Sequence, residues 1–338
     1  MILSTIWITI HMLSFSLFTK GLEYKSSILF LILGILLYVN IGFITDTYHY
    51  LYHLSGSGIY RSSDPAFNFL QLGLKKVFSS PELILTIIQL CVLLPLMMLV
   101  KYVNNKYFLS LIVILLSPGF FLGFENGLRQ GIASSLLLLG LTAYMYKQKY
   151  FLSIFALVLA SLMHLSTLFF TFFYVGMIFF LKVFKKFSPV LLLILFTLGT
   201  ISVYSLFINF VSYLGIYDGY ISYNNEGLDQ RVGRIKFVAV FAQAFVTEAY
   251  LRFNNYREFK LYRNLRFLFA YFMLLLAGLG MGIELISRLL LNYLFFELLL
   301  LLIFLKNEDR VSKLFIIFNL FFYGLALNVL TILRNNGL

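Results

Sequence analysis

The sequence predicts an all-α, polytopic integral membrane protein, and three observations carry that prediction. Of its 338 residues 61% are hydrophobic and 12% charged, whereas soluble globular chains carry about 25% charge. Too few charged side chains remain to cover a water-facing surface, as the mean hydropathy of +0.92 also says. Apolar stretches recur at lengths near the roughly 20 residues that a helix needs to cross a bilayer. Runs such as Leu83 to Val100 and Pro189 to Phe210 carry no charge and no regular alternation, which excludes a transmembrane β-barrel, whose strands alternate apolar and polar residues.

Taken in order, the apolar runs predict about 12 transmembrane helices, near 2–19, 27–44, 82–100, 107–122, 128–146, 150–163, 166–181, 189–210, 235–251, 267–283, 288–305 and 314–333. Met1 to Thr19 has no basic segment and no clear small-residue cleavage site, so it reads as a retained first helix. Alternate connections are basic: Lys20 and Lys25, then Lys101 and Lys106, then Lys147 and Lys149, then Lys182, Lys185 and Lys186, then the segment from Arg252 to Arg266, then Lys306, Arg310 and Lys313. These hold most of the 26 basic residues. The positive-inside rule puts them in the cytoplasm and both termini outside. Asp46, Asp64, Glu82, Glu125, Asp218, Glu226, Asp229 and Glu284 then fall on the outer side, more than half of the 14 acidic residues. This alternation also divides 150–181 into two short helices meeting near His164, since one long span would break it. The chain reads as a single transmembrane domain over residues 1–338, with long outer connections at 45–81 and 211–234. The former includes an amphipathic helix expected from Pro65 to Phe78.

Composition also narrows function. A net charge of +12 without a soluble face belongs to membrane topology and not to nucleic-acid binding. Cys91 is the only cysteine, so neither a disulfide framework nor a thiolate zinc site is possible within one chain. His49 and His53 lack a third ligand nearby, and no metal site is expected.

Ionisable groups at the ends of membrane helices are the first places to look for chemistry. Glu125 and Arg129 stand one helical turn apart at the start of the fifth span, in Gly123-Phe124-Glu125-Asn126-Gly127-Leu128-Arg129-Gln130-Gly131. Gly127 and Gly131 leave a bare stripe for close approach by a helix or a ligand. A helix N-terminus with an arginine suits a phosphate; the plainer reading is an Arg129–Glu125 pair. Glu284 and Arg288 repeat the pattern at the eleventh span, while Arg231 and Arg234 face the same way as the ninth begins. Four arginines on one face can hold a diphosphate through paired hydrogen bonds. Interfacial anchoring is the alternative, for Lys236 first and also for Arg234. His164, among apolar residues, is a packing residue or a base on the arginines' side. The tyrosines at 48, 50 and 52 read as ordinary interface residues. Glu248 and Glu297 are weak candidates for proton-relay acids, with no partner visible in sequence.

In order along the chain, Asp46 with its neighbouring tyrosines, Asp64-Pro65-Ala66-Phe67, Arg129-Gln130-Gly131-Ile132-Ala133, Ala160-Ser161-Leu162-Met163-His164-Leu165-Ser166, Glu284-Leu285-Ile286-Ser287-Arg288 and Asn292-Tyr293 resemble the EpsG-type branch of the Wzy bacterial polysaccharide polymerases. The resemblance covers roughly residues 40 to 300, and it departs at Asp64-Pro65, where the family usually reads Glu-Pro. It implies a fold similar to the C-type glycosyltransferases, in the bacterial cytoplasmic membrane, with the active site on the outer face. The implied reaction moves a glycan from undecaprenyl diphosphate onto the non-reducing end of another lipid-linked oligosaccharide unit, with no cofactor. A chain-length regulator is a further expected partner, beside the lipid bilayer. In that chemistry Arg129, Arg288, Arg231 and Arg234 bind the leaving diphosphate, Glu125 and Glu284 support them, and His164 or Asp46 takes the acceptor's proton. A lipid-linked oligosaccharide flippase and an O-antigen ligase are the rival readings. The flippase would be expected to show two similar halves, which this sequence lacks.

Overall fold

The computed structural model describes residues 46–56, 62, 64–103, 106–125, 127–147, 149–164, 166–183, 191, 193–202, 227–256, 260–279, 283–307 and 309–323. The first two expected spans and residues 211–226 of the second long connection lie outside them. All regular structure among the described residues is helical, in agreement with the all-α prediction. The helices are α1 (Asp46–Ser55), α2 (Pro65–Val77), α3 (Pro81–Val103), α4 (Tyr107–Leu116), α5 (Pro118–Glu125), α6 (Leu128–Lys147), α7 (Tyr150–Met163) and α8 (Ser166–Val183). Then follow α9 (Leu193–Ser202), α10 (Gly227–Phe253), α11 (Lys260–Gly278), α12 (Ile283–Phe304) and α13 (Arg310–Ile317), which runs on into a π-helical turn, Phe318–Tyr323.

Serine-proline pairs set two of the starts. Ser80 accepts the Leu83 N–H at 3.2 Å ahead of Pro81, and Ser117 accepts the Phe120 N–H at 3.2 Å ahead of Pro118. A serine N-cap with proline in the first turn is a strong start signal, because proline lacks a donor that the helix could not use there anyway. The second pair divides the expected span 107–122 into α4 and α5. Ser117 is extended, at φ −70 and ψ 137, since the proline ring disfavours a helical residue before it. The 150–181 segment is two helices meeting at His164, as the charge alternation required. Two other boundaries move: α10 begins at Gly227 and not near 235, and α11 begins at Lys260 and not near 267.

The chain divides into two compact units. In the first, described residues up to Thr171 and from Leu294 onward, α6 packs against α3, α5 and α7 and is buried from Gln130 through Ala143. Glycines permit the tightest approaches. A Cβ on Gly131 would lie 2.8 Å from the Gly123 carbonyl carbon, and one on Gly119 would lie 2.8 Å from that of Leu294. The bare stripe at Gly131 is thus filled by the backbone of α5. α7 buries its small residues Ser153, Ala156 and Ala160 with Met163 and presents Phe151, Ile154, Phe155, Val158 and Leu162 outward, Phe151 at 86% exposure.

The second unit is Phe172–Tyr293. Its core is aromatic: Phe173 meets Phe272 at 4.3 Å between ring centroids, and Tyr174 meets Phe269 edge-on at 5.3 Å. Arg263 and Arg266, expected in a cytoplasmic connection, are instead buried on α11. Glu248 accepts from Arg263 through both oxygens, at 2.8 and 3.1 Å, and from Arg252 at 2.8 Å. The candidate relay acid is therefore an ion-pair partner. Arg266 donates to Gln243 and to Tyr293, each at 3.3 Å, and to the Thr247 hydroxyl.

By length and composition, α3 is the one described helix able to cross a membrane, with a mean hydropathy of 2.7 over its best stretch. Tyr150–Met163, Phe170–Val183 and Leu193–Ser202 are apolar but shorter.

Candidate active site

Three side chains from separate parts of the first unit converge on one buried point. Asp64 precedes α2, Arg129 lies in the first turn of α6, and His164 closes α7. The Asp64 carboxylate, 1% exposed, accepts from Arg129 Nη1 through Oδ2 at 2.5 Å. The same oxygen stands 3.3 Å from His164 Nδ1. A buried carboxylate is costly unless a cation and hydrogen bonds compensate it, and Arg129, with its side chain 22% exposed, meets that requirement.

Local structure explains why each group points inward. His164 is extended, at φ −157 and ψ 113. Its N–H still reaches the Ala160 carbonyl, so it is the cap of α7. Its own carbonyl accepts the Thr167 N–H at 2.9 Å as α8 begins. The chain turns at this residue, which leaves the imidazole 10% exposed between two helices. Asp64 is gripped from both sides. Its N–H donates to Ser62 Oγ at 3.2 Å, its carbonyl accepts the Asn68 N–H at 3.1 Å, and the Asn68 side chain brackets Ser62 through bonds of 2.7 and 3.1 Å.

Arg129 is held on a second edge by Tyr50, whose hydroxyl accepts from Nε at 3.1 Å. Tyr50 packs edge-on against Phe67 of α2, with centroids 5.6 Å apart. The tyrosines of α1 thus part company. Tyr48 and Tyr52 are exposed at 58% and 68%, whereas Tyr50 is buried with Leu54. At 100° per residue, positions 48 and 52 share a face that 50 does not, so the interface reading fits the outer pair and misses Tyr50.

The remaining candidates stand elsewhere or outside the described side chains. Arg288 lies on α12 and Arg231 and Arg234 on α10, all in the second unit; the latter two side chains lie outside the description, as do those of Asp46, Glu125 and Glu284. Glu125 ends α5 while Arg129 belongs to α6, so the two do not share one continuous helix as the spacing suggested. Asp64 entered the sequence reading as an outer-side acid and within the family resemblance, but without a site role, because a carboxylate before a proline reads locally as a helix cap.

A buried carboxylate, an imidazole and a guanidinium in direct contact can accept a proton and hold an anion within one small region. The sequence model of the EpsG family matches residues 24–337. No curated protein and no solved structure matches the chain.

Proposed function

We propose, because the chain belongs to the EpsG family across residues 24–337, that it polymerises lipid-linked oligosaccharide repeat units on the outer face of the bacterial cytoplasmic membrane. The observation that carries this reading is the convergence of Arg129 and His164 on Asp64. In this reading Arg129 is the anion ligand and His164 the proton acceptor for glycosyl transfer from a diphosphate donor.

In this reading the acceptor sugar's hydroxyl oxygen attacks C1 of the donor glycan. The C1–O bond to the diphosphate breaks, and its electrons leave with undecaprenyl diphosphate. Arg129 stabilises the charge that develops on the leaving oxygen, with Glu125 in support. His164 takes the hydroxyl proton. Asp46 is the other candidate for that step.

The chain crosses the membrane about 12 times as a single transmembrane domain, and the connection 45–81 covers the site. The apolar length of α3 suits one such crossing, and the outward face of α7, where large apolar side chains are exposed and small ones buried, suits another. That is the reverse of a soluble helix and suits contact with lipid. A chain-length regulator is the protein partner that such a polymerase would take.

Purified protein in nanodiscs, given a lipid-linked repeat unit and no added metal, should extend the glycan in steps of one unit and release undecaprenyl diphosphate. Transfer of the lipid-linked glycan across a sealed vesicle bilayer without extension would sink the polymerase reading in favour of a flippase.

A further inference from the structure

Three helices of the first unit begin at a residue–proline pair, and only one leaves its cap unused. Ser80 and Ser117 each accept an N–H of the helix they start. Asp64 precedes Pro65 in the same position, with an extended backbone at φ −96 and ψ 102, yet its side chain makes no capping hydrogen bond to α2. Aspartate is among the best N-cap residues. Its carboxylate is turned instead toward two partners 65 and 100 residues away in sequence, Arg129 and His164.

We propose that Asp64 is a positioning residue that fixes the His164 imidazole in the Nδ1–H tautomer and sets the Arg129 guanidinium beside it. This rests on the reading above, in which His164 accepts the acceptor's proton and Arg129 binds the donor's diphosphate. A carboxylate can only accept hydrogen bonds. With Asp64 ionised, its contact with His164 Nδ1 places a proton on that nitrogen and, in the neutral imidazole, leaves the lone pair on Nε2. A histidine whose tautomer is held by a carboxylate is poised as a base at its other nitrogen. Because one oxygen of Asp64 serves both partners, base and anion ligand are placed relative to each other by a single group. Asp64 is itself immobilised by the Ser62–Asn68 bracket, and Arg129 by Tyr50 on its second edge.

The test is nitrogen-15 NMR of full-length protein labelled at histidine, in nanodiscs, with the His164 signal assigned by its loss in His164→Gln. Wild-type His164 should be in the Nδ1–H form. Asp64→Asn should shift it toward the Nε2–H form and lower polymer formation roughly 10²-fold or more. Asp64→Glu should restore part of both, since the carboxylate is kept and only its reach changes. An Nε2–H tautomer in the wild type, or one unchanged in Asp64→Asn, would overturn the proposal. The wild-type tautomer is read with Asp64 intact, so an Nε2–H form there overturns the proposal even where the Asp64 variants fail to fold. A shifted tautomer together with full polymer formation in His164→Ala would leave the contact standing and remove His164 as the base.

Discussion

Arg129 meets Asp64 through Nη1 and Tyr50 through Nε, so two acceptors on different edges set the plane of its guanidinium. Lysine presents a compact ammonium and cannot reproduce that geometry. Both Arg129→Lys and Arg129→Ala should therefore lose polymer formation by about 10²-fold or more at normal protein level, measured as product length on a gel. Full activity in the lysine variant would show that charge alone suffices. Arg129 and His164 were legible in the sequence because polar groups at the ends of apolar runs are rare and conspicuous. Asp64 and Tyr50 were not. An aspartate before a proline and a tyrosine in a run of interface tyrosines each have a sufficient local explanation, and nothing local reports a partner 65 or 79 residues away.

At the scale of single helices, glycine decides how closely α5 and α6 approach. A Cβ on Gly131 would press on the backbone of Gly123, which has no side chain to move aside. Gly131→Ala should cost about 1–3 kcal/mol by overpacking and displace the first turn that carries Arg129. Gly176→Ala on α8, where nothing lies within 4 Å, should instead stabilise by about 0.5–1 kcal/mol. Thermal unfolding in detergent compares the two, and equal effects would reject the steric account. The start of α13 offers a second measurement. Asp309 caps it, accepting the Ser312 N–H at 2.8 Å and the Ser312 hydroxyl at 2.6 Å. Partial burial pushes the Asp309 carboxyl up, but the Ser312 hydroxyl and neighbouring backbone N–H groups outweigh it and hold it below the usual aspartate range. A depressed carboxyl stabilises above its unfolded titration and loses that contribution as the pH falls through the folded one. Asp309→Ala should thus cost about 1 kcal/mol near neutrality, and the difference from wild type should shrink below about pH 4. A constant difference down to acid pH would show that the carboxylate is not the source.

For the whole molecule, the arrangement in the membrane follows from the basic connections, and cysteine labelling tests it. In a Cys91→Ser background, cysteines at Ser79 and Glu226 should react with an impermeant reagent from outside, while those at Lys147 and Arg257 should not. Ser79 is exposed, which suits a labelling reporter. Labelling at 147 or 257 would invert the topology. The sequence by itself determined the all-α class, the division of α7 from α8 and the residues worth watching at helix ends. These depend on hydropathy, charge and helix breakers, which act over a few residues. Packing decided the rest. It placed Arg263 and Arg266 in the second unit's interior, where α11 begins a turn or more before its apolar run and brings them to Glu248 and Gln243. It also gathered Asp64, Arg129 and His164, since which groups meet across 65 and 100 residues is set by helix contacts that no local pattern encodes.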